Sequence, residues 1–117
     1  MKVPVSQPLL DDAEAKNVNE ALAEGAISGF FGRFITRFEE EFAAYSECRY
    51  GVGASNGTTA LHLGLVALGI GPGDEVLVST LTNMASFFSV IYQGAKAVPI
   101  DCEPGTWNMN PALLEAK

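Results

Sequence analysis

From residue 50 onward, short apolar runs of strand length alternate with stretches of helical periodicity, and glycine-containing turns separate them. The runs at 50–54, 75–79 and 97–101 read as strands, and the periodic stretches at about 59–69 and 83–93 read as helices. Asn110-Pro111 opens one more helix, with Asn as the cap and Pro in the first turn. Strands separated by helices cannot pair as hairpins. The pattern therefore predicts an α/β layer fold with a mostly parallel sheet and flanking helices. The run at 75–79 is apolar throughout, as expected of a strand buried on both faces. Pro99 has no N–H to give to a ladder, which predicts that its strand lies at a sheet edge.

The segment before residue 50 is different. Residues 1–10 carry Pro4 and Pro8 and read as an extended arm. Asp11 or Asp12 caps a helix over about 12–24, with Ala15, Val18, Ala21 and Leu22 on one face. Gly25 ends it, and an apolar, glycine-rich loop follows through Ile27, Phe30 and Phe31 to Gly32. Loops usually lie in water, so these side chains either tether the loop or cover a pocket or subunit interface. A second helix is expected over about 34–46. Phe34, Phe38, Phe42 and Tyr45 recur along it as a core stripe, and Glu39, Glu40 and Glu41 form a solvated face. No repeat, low-complexity tract or flexible linker is visible.

Charge narrows the partners. Lys and Arg total 7 against 14 for Asp and Glu, a net charge of −7. That balance disfavours nucleic acid and anionic membrane surfaces. With 48% apolar and 18% charged residues the composition is that of a globular domain. No apolar run reaches the ~18 residues of a membrane span, and the start leads into Asp11-Asp12, unlike a signal peptide. Cys48 and Cys102 fit no metal-binding spacing. Both are expected to be buried and reduced, in a cytoplasmic protein.

The strongest chemical signal is the strand, the turn Ser55-Asn56-Gly57-Thr58-Thr59, and the helix after it. A helix N-terminus leaves N–H groups unpaired and favours anions. Gly57 removes the Cβ that would block a ligand, and the threonines add hydroxyls. The turn is either a phosphate cradle or a cap built by Asn56 or Thr58. It is not a Walker loop, and no GxGxxG occurs. Gly64, inside the helix, suggests close backbone packing. His62 reads as a satisfied boundary side chain rather than a catalyst. Asp101 and Glu103 follow a strand end and read as turn or cap residues. Of Lys2, Lys16, Lys96 and Lys117, Lys96 is expected to be the least exposed, and none has the apolar setting of a nucleophile.

These segments, in order, resemble the N-terminal part of the DegT/DnrJ/EryC1/StrS family of PLP-dependent sugar aminotransferases. The resemblance runs from Val3-Pro4-Val5 and Gly25-Ala26-Ile27-Ser28 through Phe38-Glu39-Glu40-Glu41-Phe42. It continues in Ser55-Asn56-Gly57-Thr58-Thr59-Ala60-Leu61-His62-Leu63 and Leu68-Gly69-Ile70-Gly71-Pro72-Gly73-Asp74-Glu75-Val76. It ends in Gly94-Ala95 and Asp101-Cys102-Glu103-Pro104-Gly105-Thr106-Trp107-Asn108-Met109-Asn110-Pro111. The Ser-Asn-Gly-Thr-Thr variant is most similar to that of the perosamine-synthase branch.

The resemblance implies the aspartate-aminotransferase-type large domain (PLP fold type I), a homodimer, and pyridoxal or pyridoxamine 5'-phosphate as cofactor. It implies residues 1–32 as an arm, helix and apolar loop, and 33–117 as an incomplete first part of the PLP-binding domain. Gly57 and Thr58 would hold the cofactor phosphate. Asn83 stands where the family normally stacks an aromatic residue on the ring, and loses apolar contact there. Met84 is a candidate sulfur contact in its place. The loop at 25–28 would lie near an active site shared between subunits. The lysine that carries the cofactor and the aspartate that pairs with the ring nitrogen would come from beyond residue 117, so no catalytic residue and no metal ligand is assigned here. The chain is thus expected to be an N-terminal fragment, inactive and poorly ordered alone. Its parent would move an amino group from glutamate to a nucleotide-linked keto-sugar. The alternatives are a PMP-dependent sugar dehydratase of the same family, and a non-catalytic remnant that binds a phosphate ligand or a homologous chain.

Overall fold

The structure is a computed structural model that describes residues 3–4, 6–28 and 32–117. The expectations for Lys2, Val5, Phe30 and Phe31 fall outside those residues. The chain resolves into two compact units, residues 1–53 and 54–117.

The first unit holds α1 (Asp12–Ala23) and α2 (Phe34–Tyr45). Asp11 caps α1: its side chain accepts the Ala13 N–H at 2.7 Å, while Glu14 reaches back to the Asp11 N–H at 2.7 Å. No residue of α1 is buried. The aromatic stripe of α2 forms as spaced, with Phe38 and Phe42 stacked at 5.6 Å and Tyr45 next along at 6.3 Å. It is not a core, contrary to expectation. Phe38, Phe42 and Tyr45 are 56%, 54% and 85% exposed, and only Ala43 of α2 is buried. Periodicity creates the face, and no described residue of the unit covers it.

The strand expected at 50–54 does not form. A strand needs a neighbour, and here the backbone leans on α2 instead. A Cβ on Gly51 would run into the Glu39 carbonyl, so glycine is required there. The Gly53 N–H donates to Glu39 Oε1 at 2.7 Å. Glu39 is therefore more than a solvated charge.

The second unit carries α3 (Gly57–Ala67), β1 (Glu75–Ser79), α4 (Met84–Tyr92), β2 (Lys96–Ile100) and α5 (Pro111–Glu115). β1 and β2 pair in parallel, Glu75 opposite Lys96 and Ser79 opposite Ile100. Val78, Val90 and Ala95 centre the core, with Leu65, Ile70, Val76, Phe87 and Ala97 packed around them. β1 is less enclosed than its apolar sequence suggested. Only Val78 of the strand is buried, because one face and one edge of β1 lack a neighbour among the described residues.

The two strand edges differ. The Lys96 N–H donates to the Asp74 carbonyl and the Thr80 N–H to the Ile100 carbonyl. In a parallel ladder alternate residues bond to alternate sides. Lys96, Val98 and Ile100 therefore face β1, and Pro99 turns its missing N–H outward. β2 is the blunted edge that Pro99 predicted. The outward groups of Glu75, Leu77 and Ser79 leave β1 open to a further strand. Among the described residues no helix is long and apolar enough to cross a membrane.

Candidate functional site

Two helix N-termini carry the residues singled out from sequence. At α3, Asn56 is extended at φ −167° and its side-chain oxygen accepts the Thr59 N–H at 3.0 Å. Thr59 Oγ1 accepts the Asn56 N–H at 3.3 Å and donates to the Asn56 carbonyl at 2.8 Å. Ser55 Oγ accepts from the Asn56 amide at 3.2 Å. Asn56 and Thr59 are therefore occupied with capping. The Gly57 and Thr58 N–H groups stand ahead of the first intrahelical acceptor and meet none among the described residues.

The space in front of those donors is open. A Cβ built on Gly57 would meet no atom within 4 Å. Free N–H groups, a bare Cα and the positive end of the helix dipole suit a phosphate in both charge and shape. The cap and the cradle, alternatives in the sequence, use different atoms of one turn.

Asn83 is the N-cap of α4. Its side-chain oxygen accepts the Ala85 N–H at 2.9 Å, which leaves the amide N–H groups to donate elsewhere. Thr82 and Ser86 share a hydroxyl contact at 2.9 Å beside it. An apolar groove of about 620 Å3 runs between α3, β1 and α4, lined by Ala60, Gly64, Leu65, Val78, Thr82 and Ser86. Gly64 is not a point of close packing, as the sequence suggested. A Cβ there would meet nothing within 4 Å, so the glycine opens onto the groove.

The C-terminal ends of β1 and β2 gather polar groups that sequence reasoning only half found. Thr80 Oγ1 donates to Asp101 Oδ1 at 3.0 Å, and the same oxygen accepts the Cys102 N–H at 2.8 Å. Ser79 Oγ lies 3.3 Å from Cys102 Sγ. The hydrogen bond from Ser79, helped by Thr80 and the Leu81 backbone, holds the Cys102 thiol below its usual range, while burial and Asp101 oppose the shift. Strand C-terminal ends are where α/β sheets place ligands; that position was the available signal for Ser79 and Thr80. Neither cysteine is buried as expected: Cys102 is half-buried and Cys48 is exposed, both as free thiols.

The remaining candidates are structural. His62 bonds Gln93 at 2.8 Å. Glu103 accepts from Thr106 at 2.5 Å within a turn. Lys96 is 72% exposed and reaches from the strand edge to meet Glu75 at 2.6 Å. That contact holds the Glu75 carboxyl below its ordinary range. Among the described residues no group of His, Cys, Asp and Glu could hold a metal ion.

The chain is similar to known proteins in sequence and fold. Residues 8–117 match the DegT/DnrJ/EryC1/StrS aminotransferase family. GDP-perosamine synthase of Caulobacter vibrioides is 49% identical over 115 residues, which are 98% of this chain and 31% of that protein. An aminotransferase from Psychrobacter cryohalolentis superposes with a TM-score of 0.87 at 37% identity, over 97% of this chain and 29% of its own. A Streptococcus pneumoniae protein described as a sugar aminotransferase, in its PLP form, gives 0.84 at 32% identity over 99% and 29%. The chain thus spans 31% of the length of that synthase. Its fold is the N-terminal part of the fold type I large domain.

Proposed function

The chain belongs to the DegT/DnrJ/EryC1/StrS aminotransferase family, and from that premise we propose that it is the cofactor-phosphate-binding part of a PLP-dependent sugar aminotransferase. The observation that carries this reading is the α3 turn. Its two free amides and bare Gly57 Cα suit an anion, and the family resemblance assigns the cofactor phosphate to this turn. In this role Gly57 and Thr58 donate backbone N–H groups to the phosphate of PLP or PMP. Asn56 and Thr59 hold the turn in shape. Asn83, fixed by its bond to Ala85, contacts the ring from the start of α4.

When bound, the cofactor supplies an electron sink for transfer of an amino group. These residues anchor and orient it. The substrate we infer is a nucleotide-linked keto-sugar, supported by the 49% identity to a GDP-perosamine synthase. Glutamate is the proposed donor. A homodimer, with the 25–28 loop near the shared site, is proposed on the family resemblance. Residues 33–117 are proposed as part of the PLP-binding domain and 1–32 as its arm. The free thiols of Cys48 and Cys102 support a cytoplasmic setting.

The test is transfer of nitrogen from 15N-glutamate to a GDP-linked 4-keto-sugar by the holoenzyme. The expected result is 15N in the sugar product. A deoxy sugar without nitrogen would move the reading to a dehydratase, and no uptake of PLP would refute it.

A further inference from the structure

The position of α3 matters most if its first amides hold the phosphate, and α3 lies along α4 without burying any side chain of its own. Leu65 is its contribution to the core cluster. Past its cap, one side chain of the helix makes a hydrogen bond to another element among the described residues. That side chain is His62, whose Nε2 lies 2.8 Å from Gln93 Oε1. Gln93 is the C-cap of α4, and its Nε2 donates to the Ile70 carbonyl at 2.7 Å. This second bond fixes which end of the Gln93 amide faces His62. The oxygen does, so His62 Nε2 carries the proton and donates it.

The joint is closed on its other sides. The Ile70 N–H returns to the Leu65 carbonyl, which ends α3. Gly94, at φ +78°, places its Cα where a Cβ would lie 3.2 Å from Pro72 Cγ, so the end of α4 sits against the turn before β1. Tyr92 meets the His62 ring edge-on at 6.2 Å. One imidazole and one amide thus tie three elements: the middle of α3, the turn after it, and the end of α4.

We propose that the His62–Gln93–Ile70 joint is a positioning device for the phosphate cradle, fixing α3 so that the Gly57 and Thr58 amides keep their direction. It rests on the reading of that turn as the cofactor-phosphate site. His62 and Gln93 touch no cofactor in this scheme. They act through the helix, and breaking either bond lets α3 shift about its Leu65 contact.

The experiment titrates PLP, and inorganic phosphate in competition, into apoprotein prepared from the holoenzyme. His62→Ala weakens both ligands about fivefold, the effect of one lost hydrogen bond, and Gln93→Met, which loses that bond and the one to Ile70, weakens them at least as much. The double variant is no weaker than Gln93→Met alone. His62→Gln, which restores an N–H at similar reach, recovers most of the affinity. Gln93→Met preserves side-chain length and serves if His62→Ala does not fold. Affinities of the folded variants within twofold of wild type, with only a lowered melting temperature, would overturn the proposal and leave the joint merely structural. Wild-type protein that takes up no PLP would refute the functional reading, and this proposal with it.

Discussion

Helices α2 and α4 share one sequence feature, although α2 also carries Arg37, Glu39, Glu40 and Glu41 and α4 carries no charge. Each carries aromatic residues at helical spacing with no charge on the apolar face. In α4, Val90 and Ser89 are 2% exposed where the helix meets α3, β1 and β2, while its aromatic residues Phe88 and Tyr92 stay 41% and 63% exposed. In α2 the stripe stands open, and Ala43 is the one buried residue. Periodicity specifies which side of a helix is apolar. It does not supply the surface that covers it, and that surface comes from whatever the chain places opposite. The unit of 54–117 covers α4 at Ser89 and Val90, while among the described residues of α2 only Ala43 is covered.

Substitutions can break this contrast. Val90→Ala removes two buried carbons, each worth ~0.8 kcal/mol, and leaves a cavity; it should cost about 2 kcal/mol in chemical denaturation. Next in size are the caps. Asn56→Ala deletes the acceptor for Thr59 and should cost ~1 kcal/mol, with faster amide exchange over the first turn of α3. Phe42→Ala should change stability of this chain by less than about 0.5 kcal/mol, as at other exposed positions. A cost as large as that of Val90→Ala would mean that α2 is covered and the contrast is false.

The smallest effect is electrostatic. Glu75 titrates below its ordinary value because Lys96 hydrogen-bonds and attracts its carboxylate. A depressed carboxyl contributes stability that is present above the unfolded-state pKa and lost as pH falls through the folded-state pKa. The pair is exposed and worth little. NMR titration of the Glu75 carboxyl should show the low midpoint, and Lys96→Met should raise it. An unchanged midpoint in that variant would remove the cross-strand pair from the account.

The elements of 54–117 were legible because each local signal agreed with the next. Asn110-Pro111 capped and started α5, Gly94 ended α4, and Pro99 marked the outer edge. The strand at 50–54 failed because strand-like residues are only half of a ladder; Gly51 and Gly53 packed on Glu39 instead. Gly64 misled because a glycine within a helix signals either a close neighbour or an open space. At the site, Gly57, Thr58 and Asn83 stood at helix starts as read. The division of labour between cap atoms and free amides required geometry. So did the Ser79 and Thr80 contacts to Cys102, and the pairing of His62 with Gln93, which lie 31 residues apart.

The central claim is that the first amides of α3 receive the cofactor phosphate. It is tested most directly by following the backbone 15N–1H resonances of the apoprotein as PLP is added. The account predicts that Gly57 and Thr58 shift furthest, downfield in the proton dimension, and that inorganic phosphate moves the same two signals in the same direction. Saturable PLP binding that leaves both signals in place would contradict it.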